Sequence, residues 1–278
     1  MEILRYSAFS LDPAGGNPAG VVLDASGADA ARMLAVAAEL GYSETAFVTP
    51  RSDGSLGVRY FSPLAEVPFC GHATIATAVA YAQRHGVGNL LLRTRIGDVP
   101  VATGRGGDGA ISATLTSVAP TSVVIARRDL AELLRLLRWP ESDLDAALPP
   151  RSAYAGNWHP VIAAGSRARL SDLDYDMPAL AALMARKEWT TIHLVWRESP
   201  TVFHVRNAFP PGGVVEDPAT GAAAAAFGGY LRELGLLDLP ATVTVHQGHD
   251  MGRPGTITVT VPAEPGSGIR VSGSAVRL

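Results

Sequence analysis

The sequence has very little cysteine, since Cys70 is the only one among 278 residues. An intrachain disulfide is therefore impossible, and nothing in the composition suggests an oxidising compartment. Charge is also scarce, at 18% of residues, and the formal net charge is −3. Lysine and arginine are spread along the chain without a long basic run. Because nucleic acids and anionic membrane surfaces attract basic proteins, both are disfavoured as partners.

Long apolar segments are missing as well. The longest apolar run of the C-terminal half, AAAAAFGGYL, is too short to span a bilayer and is rich in alanine and glycine. The N-terminal MEILRYSAFS has no basic segment before an apolar stretch, so no signal peptide is expected. We therefore expect a cytoplasmic protein. The hydrophobic fraction of 47% is ample for packed cores, in one large domain or in two of ordinary size.

Several familiar motifs for cofactors and catalysis are absent too. Neither the phosphate-binding GxxxxGK[ST] nor the nucleophile-elbow GxSxG occurs. The glycine-rich segment 104–109, GRGGDG, lacks the strand-to-helix context of a dinucleotide site and is predicted to form a hairpin turn. His246 and His249 have the spacing of metal ligands, but the sequence offers no obvious third ligand. The residues thus indicate no nucleotide, metal or serine-hydrolase site.

What the sequence does contain is a pattern of many strands with few helices between them. Apolar residues at helical spacing predict helices over 29–40, which Gly41 ends, and over 72–85, 128–137, 178–186 and 221–234. Apolar runs and alternation predict strands near 3–9, 21–25, 46–49, 57–61, 90–94, 110–115, 159–164, 192–196, 201–206, 242–246, 256–261 and 269–276. Residues 142–156 are expected to form a loop. Because strands outnumber helices and occur in clusters, the pattern favours an α+β fold over a strictly alternating parallel sheet.

An internal repeat is the most informative feature of the sequence. The segment VRYFSPLAEVPFCGHATIATAVAYA resembles the later segment VRNAFPPGGVVEDPATGAAAAAFGGYL. Each copy is predicted to be a strand, a proline-bearing loop and a helix dense in alanine, whose small side chains let a surrounding sheet close tightly. The matched residues are Val58, Arg59, Glu66, Pro68, Gly71 and Ala73 in the first copy, and Val205, Arg206, Glu216, Pro218, Gly221 and Ala223 in the second. The repeat therefore predicts two lobes of one architecture, related by pseudo-symmetry.

The boundary between the lobes is placed near Ser117, in a linker over 117–120. Residues 1–117 are then the N-terminal lobe, and residues 118–267 are the C-terminal lobe. The final strand, within 268–278, can return to the first lobe, which would make that lobe non-contiguous.

Both repeats place a glycine at a predicted helix start, at Gly71 and at Gly221. The first N–H groups of a helix lack internal partners and lie at the positive end of its dipole, and a glycine lets a ligand approach them closely. Each glycine alone is explained as a helix opener, but the matched pair favours two helix starts that together bind an anion such as a carboxylate. The residues predicted to bind substrate are Ser43, Cys70, Gly71, Ala73, Thr74, Thr220, Gly221 and Ala222.

Three ionisable residues are candidates for proton transfer. Glu44 lies in Ser-Glu-Thr, between a helix-ending glycine and an apolar run, where partial loss of hydration favours general acid or base action. The structural alternative for Glu44 is a helix-flanking or capping glutamate. Asp217 precedes a helix start, where a carboxylate either caps the helix or meets a substrate. His72, in the first turn of a helix, can donate or accept one hydrogen bond, although a lone histidine is usually structural.

The blocks that carry these residues resemble the PhzF-like family, which is named for the phenazine-biosynthesis isomerase. They are GNPAGVVLDA, SETAFV, RYFSPLAEVPFCGHATIATA, EDPATGAAAAAFGGYL and QGHDMGRPGTI, in family order from residue 16 to about 257. The resemblance implies the diaminopimelate-epimerase fold, with two similar lobes, each a strongly curved sheet around a central helix, and the active site between them. It also implies a homodimer that uses no cofactor. Together with the paired helix starts, this predicts a small carboxylate as the substrate.

The resemblance assigns residue roles as well. In the phenazine enzyme, a glutamate in the Ser-Glu-Thr block shifts a proton within trans-2,3-dihydro-3-hydroxyanthranilate, which implies that Glu44 is the base here. His72 and Asp217 match a histidine and an aspartate that hold or assist the substrate. One departure is Ala222, which replaces the serine of many members and puts the phenazine substrate in doubt. The region 140–160 resembles no block of the family.

The cysteine count narrows the possible reactions. Cofactor-free epimerases of this fold use two thiols, one from each lobe, whereas the repeat aligns Cys70 with Thr220 and no second cysteine exists. A two-thiol racemase is therefore excluded. The leading prediction is an isomerase that shifts a proton on a small unsaturated or amino carboxylate through Glu44. The alternatives are a one-base epimerase that uses Glu44 with Cys70 or Asp217, and a non-catalytic small-molecule binding protein of the same fold.

Overall fold

Strands and helices follow one another in clusters along the whole chain, from Met1 to Leu278, in the computed structural model. This arrangement confirms the predicted α+β class. The chain divides into a first unit of Met1–Thr116 with Ser272–Leu278, and a second unit of Ser117–Val271. None of the helices combines the length and the apolar character that a membrane crossing requires.

The strands of the first unit form a closed barrel. They are β1 Leu4–Ala8, β2 Asn17–Val22, β3 Glu44–Pro50, β4 Leu56–Phe61, β5 Glu66–Val67, β6 Asn89–Thr94, β7 Gly97–Arg105, β8 Ile111–Thr116 and β17 Arg270–Arg277. Pairing runs from β1 through β2, β3, β4, β6, β7, β8 and β17 back to β1, while the short β5 pairs with β4. The β2–β3 and β4–β6 pairs are parallel.

Two helices belong to this first unit. Helix α1, Ala30–Leu40, begins after Asp29, whose side chain accepts the Arg32 N–H, and ends at Gly41 in the left-handed conformation. Helix α2, Gly71–His85, packs against β1, β2, β3, β7 and β8 and is buried along most of its length. A helix buried on all sides must be apolar on all sides, and the small alanines of α2 let the barrel strands approach it closely.

The second unit repeats the plan of strands around a buried helix. Its strands are β9 Thr121–Val124, β10 Arg151–Tyr154, β11 Trp158–Ala163, β12 Ile192–Ser199, β13 Val202–Ala208, β14 Glu216–Asp217, β15 Ala241–Gln247 and β16 Gly255–Val261. They pair in the order β9, β10, β11, β12, β13, β15 and β16, with β14 on β13. The helices are α3 Arg127–Leu137, α4 Arg167–Ser171, α5 Met177–Lys187 and α6 Gly221–Glu233.

Helix α6 is the buried helix of the second unit, and it packs against β9, β10, β11 and β16. Its small residues are required by this packing. A Cβ atom at Gly228 would lie 2.8 Å from Cγ1 of Val259 and 3.0 Å from Cγ2 of Ile269. The tight closure that the alanine-rich sequence predicts is therefore present, and each unit has the predicted central helix.

The internal repeat is visible as a matching ion pair in each unit. In the first unit, Arg59 donates from Nε and Nη2 to the two carboxylate oxygens of Glu66, both at 2.8 Å. In the second, Arg206 makes the same two contacts with Glu216, with 2.9 Å from Nε to Oε2. In both copies the glutamate lies on a two-residue strand that pairs with the arginine-bearing strand. The repeated residues thus form the same local structure twice.

Some local expectations are wrong. Residues 142–156 are not all loop, because β10 lies within them. Strand β7 is absent from the prediction; it contains Pro100, and a proline, which cannot donate to a ladder, usually argues against a strand. The hairpin at 104–109 is confirmed, since Arg105 pairs with Ile111 across the turn.

Candidate active site

Glu44 is the first residue of β3 and follows directly on the end of α1. The left-handed Gly41 ends the helix, with its N–H donating to the Ala37 carbonyl at 3.1 Å. Glu44 then enters the sheet opposite Ala19 of the parallel strand β2. Its side chain is 18% exposed, whereas the next residues of the strand are buried. The fold therefore fixes the backbone of Glu44 and leaves its carboxylate accessible at the strand end.

The His72 imidazole lies beside the Glu44 carboxylate. His72 is the second residue of α2, and its side chain is only 8% exposed. Its Nε2 atom is 3.4 Å from Glu44 Oε2 and 3.4 Å from Ser43 Oγ. Its Nδ1 atom is 3.3 Å from Cys70 Sγ. The structure thus brings together four of the residues that the sequence predicted for the site, with the imidazole between a carboxylate and a thiol.

The start of α2 is open at Gly71. A Cβ atom built there would meet no heavy atom within 4 Å, so packing does not demand a glycine. Its φ also lies outside the left-handed region that favours glycine. Cys70, the N-cap residue, makes no side-chain hydrogen bond to the helix start. Free space beside backbone N–H groups at a positive helix end is suited to an anionic ligand.

Ala73 and Thr74 lie on the inner side of this helix start. Both side chains are buried. The Thr74 hydroxyl donates to the Cys70 carbonyl at 2.7 Å and is 2.6 Å from the Tyr60 hydroxyl, while the Thr74 N–H also donates to that carbonyl. Burial raises the pKa of the Tyr60 phenol. These contacts give Thr74 a supporting position, in which it holds the first turn in place.

In the second unit, Asp217 and Thr220 form the loop before α6. Asp217 is buried and lies opposite Asn207 in the β13–β14 pair. The Thr220 hydroxyl donates to Asp217 Oδ2 at 2.5 Å. Gly221 and Ala222 follow in the first turn of α6, where both are partly accessible. The aspartate that the sequence singled out is therefore held by the residue that replaces a thiol in the repeat.

Gln247 braces this loop and was not predicted from the sequence. Its Nε2 atom donates to the Asp217 carbonyl at 2.7 Å and to Thr220 Oγ1 at 3.0 Å, and its Oε1 accepts the Thr220 N–H at 3.0 Å. The next residue, Gly248, has φ +80°, and a Cβ there would lie 2.8 Å from the Pro218 carbonyl oxygen. The signal available in the sequence was the block QGHDMGRPGTI, in which Gly248 lets the backbone approach the loop of Asp217 closely.

The first-unit cluster also contains possible metal ligands. One ligand atom each from Glu44, Cys70 and His72 lies within 4.8 Å of the others. A carboxylate, a thiol and an imidazole are all ligands that zinc accepts. The same groups can also move protons without a metal. The expectation that the site uses no metal and no cofactor stays a prediction, which activity after treatment with a chelator tests.

His159, from the region that resembles no family block, is buried away from solvent. Its Nδ1 is 2.8 Å from Thr191 Oγ1, which donates to Asn207 Oδ1, and that oxygen also contacts His193 Nδ1 at 3.1 Å. Burial, with a smaller effect of the neighbouring histidine, lowers the pKa of His159 to about 3. Burial lowers the pKa of His193 to about 4, although its hydrogen bond with Asn207 acts in the opposite direction. Both imidazoles are therefore neutral in the folded core.

Comparison with known proteins gives matches over nearly the whole chain. A family model described as phenazine biosynthesis-like protein matches residues 6–278. A protein of Deinococcus radiodurans named as an uncharacterized isomerase is 35% identical over 268 residues, which cover 92% of this chain and 85% of that protein. The trans-2,3-dihydro-3-hydroxyanthranilate isomerase of Pseudomonas chlororaphis is 31% identical over 274 residues, or 97% and 94% of the two chains. The crystal structure of a PhzF-family phenazine biosynthesis protein from Bacillus anthracis superposes with a TM-score of 0.90 at 27% identity, covering 100% of this chain and 98% of that one.

Proposed function

Because this chain belongs to the phenazine biosynthesis-like family, we propose that it is an isomerase that shifts a proton on a small unsaturated or amino carboxylate. The observation that carries the proposal is the accessible Glu44 carboxylate, 3.4 Å from His72 Nε2 and beside the open start of α2. A relative is named for trans-2,3-dihydro-3-hydroxyanthranilate, which is itself an unsaturated amino carboxylate. That compound is therefore the first substrate to test.

Glu44 performs both proton transfers in the proposed reaction. Its carboxylate removes a proton from an acidified C–H group of the substrate, and the electron pair left behind delocalises along the adjacent double bond. The resulting glutamic acid returns the proton at the far end of the delocalised system. The double bond has then moved, Glu44 is again a carboxylate, and no oxidant or reductant is consumed.

The start of α2 supplies the electrostatic part of this mechanism. Negative charge that develops on the substrate is stabilised by backbone N–H groups at a helix start, which are already oriented before the reaction. The missing side chain at Gly71 leaves space for the substrate carboxylate. His72 lies close enough to Glu44 to orient the carboxylate between the two proton transfers.

Asp217 is proposed to hold the substrate through its carboxylate. The support is its fixed position: Thr220 donates to its Oδ2, and Gln247 donates to its backbone carbonyl. Because Ala222 provides no hydroxyl next to this loop, we propose a substrate whose recognition needs no hydrogen bond there. Asp217→Asn keeps the hydrogen-bonding shape and removes the charge, so it tests whether charge is needed.

A one-base epimerase is the second candidate, and one observation favours it. Cys70 Sγ lies 3.3 Å from His72 Nδ1, which places a thiol within reach of a group that can exchange protons with it. In that reaction Glu44 removes a proton from a stereocentre, and the thiol or Asp217 supplies one to the opposite face. Proton exchange with solvent then returns both groups to their starting forms.

The test is proton nuclear magnetic resonance in D2O, with trans-2,3-dihydro-3-hydroxyanthranilate and a panel of small unsaturated and amino carboxylates. We expect wild type to move the double bond and to place deuterium at the carbon that the double bond leaves, to the extent that protonated Glu44 exchanges with solvent. Glu44→Gln should be slower by about 10²–10⁴-fold. Glu39→Gln, at an exposed position on α1, is the matched control and should retain the wild-type rate.

The other outcomes separate the candidates. Deuterium that enters a stereocentre without double-bond migration identifies the epimerase. Ligand binding that is unaffected by Glu44→Gln, with no exchange in wild type, identifies a binding protein. Wild-type turnover by Glu44→Gln would contradict the proposed base.

A further inference from the structure

Three histidines of the second unit form a cluster that the proposed reaction does not use. His204 on β13 lies opposite His246 on the parallel strand β15, and His249 follows in the turn after that strand. The ring centres of His204 and His246 are 5.1 Å apart, those of His246 and His249 are 5.5 Å apart, and those of His204 and His249 are 5.9 Å apart. His204 is thus the third ligand candidate that the spacing of His246 and His249 lacks in the sequence.

The separations of the ring centres fit three imidazoles around one ion. A histidine nitrogen binds zinc at about 2.0–2.1 Å, which puts the ring centre about 3.2 Å from the metal. Two such ligands at tetrahedral to trigonal angles then have ring centres about 5.2–5.5 Å apart. The three observed separations bracket this range. Ligand atoms of Glu44, Cys70 and His72 lie within 4.8 Å of one another, whereas the nitrogens of these three histidines do not all come that close. Because the χ2 torsion of histidine is broad, His246 and His249 would turn a nitrogen toward His204 on binding an ion.

The hydrogen bonds of His204 orient it as a ligand. Glu198 Oε2 lies 2.6 Å from His204 Nε2, so the carboxylate accepts the proton of that nitrogen. In the neutral imidazole with its proton on Nε2, the Nδ1 atom carries a lone pair, and this atom is buried without a hydrogen-bond partner. A carboxylate on the far nitrogen of a metal-binding histidine fixes the tautomer and raises the basicity of the ligand. The unpaired buried nitrogen is otherwise costly, and a metal ion would satisfy it.

Arg167 is a cationic side chain near His249. The Arg167 guanidinium is paired with Asp250 at 2.9 Å, so its positive charge is compensated beside the cluster.

We propose that His204, His246 and His249 bind one divalent transition-metal ion of the zinc class, with Glu198 orienting His204. The ion would connect β13, β15 and the turn that follows β15. Gln247, which braces the loop of Asp217 and Thr220, lies between two of these ligands in the sequence. Metal binding therefore stabilises the segment that carries Gln247, and this proposal does not depend on the isomerase reaction.

The experiment is a calorimetric titration of the metal-stripped full-length protein with zinc chloride, followed by thermal melting with and without zinc. Because Glu44, Cys70 and His72 offer a second set of ligands, the titration is repeated in a Glu44→Gln, Cys70→Ser background. We expect one zinc ion per chain in both backgrounds and a zinc-dependent rise in Tm. Each of the variants His204→Gln, His246→Gln and His249→Gln should abolish both effects.

Two further variants separate a built site from histidines that merely coordinate zinc at a surface. Glu198→Gln removes only the orienting carboxylate and should weaken binding by about 10–100-fold, as loss of such partners does in other sites. His85→Gln alters an exposed histidine on α2 and should change nothing. Zinc binding that is lost only in the Glu44→Gln, Cys70→Ser background would overturn the proposal. So would binding that appears only at millimolar zinc, or that persists in the folded His204→Gln protein.

Discussion

The buried histidines His159 and His193 should make the protein sensitive to acid. Their pKa values are lowered to about 3 and about 4 in the folded chain, against about 6.5 in an unfolded chain. Their contribution to stability is fully present above pH 6.5 and is lost as pH falls from there toward the folded values, because the unfolded chain takes up the protons first. Between pH 7 and pH 5 each histidine should reduce the free energy of unfolding by about 2 kcal/mol.

The assay is urea unfolding, followed by circular dichroism at pH 7 and pH 5. His159→Gln and His193→Gln each remove one titrating group and should each lose about 2 kcal/mol less than wild type over this interval. Comparing the two pH values within each variant cancels any loss of packing and the titration of other groups. His85→Gln, at an exposed position, should show the pH dependence of wild type.

The reasoning is refuted if either buried variant keeps the full pH dependence of wild type. That result would mean that the imidazole gains a proton in the folded state without unfolding the core. The unpartnered Nε2 atoms of both histidines would then have to find acceptors that the folded chain does not now provide.

Four other substitutions give specific expectations. Gly71→Ala should fold with an unchanged melting temperature, because its Cβ meets no atom within 4 Å. The added methyl group should raise KM for a carboxylate substrate by filling the ligand space, which steady-state kinetics check. Arg206→Met should cost about 3–5 kcal/mol, because it leaves Glu216 buried without its partner at 6% exposure. At the equivalent position of the other repeat, Arg59→Met should lower the free energy of unfolding by about 1 kcal/mol or less, because that arginine is 39% exposed. Urea unfolding compares the two variants, and equal losses of stability would contradict the argument from burial. Gln247→Leu should lower both stability and turnover, because it removes the hydrogen bonds that hold the Asp217 loop. Thermal melting and steady-state kinetics measure the two effects, and unchanged turnover would contradict this role.

The features that sequence analysis predicted correctly are those decided by neighbouring residues. Helix α1 follows from Asp29, which caps it, and from Gly41, which adopts the left-handed conformation at its end. The helix predicted over 72–85 is α2, and its start brings Cys70 and His72 close together. The repeat also predicted the second central helix, because the same short pattern of arginine, glutamate, proline and glycine occurs twice.

The tertiary structure decided which of these residues contact one another to form a site. Gln247 reaches the Asp217 loop, and Glu44 of β3 reaches His72 of α2, only after the strands have paired and the helix has packed against them. No local pattern specifies such contacts, since they depend on the register between strands that are distant in sequence.

The histidines show the division most clearly. Their residue types and the spacing of His246 and His249 are properties of the sequence by itself. Only the parallel pairing of β13 with β15 places His204 opposite His246, and only burial in the second unit makes His159 a neutral core residue. Local propensity and repetition therefore determined the elements and the candidate residues, whereas strand pairing and desolvation decided which residues meet and in which charge state they do so.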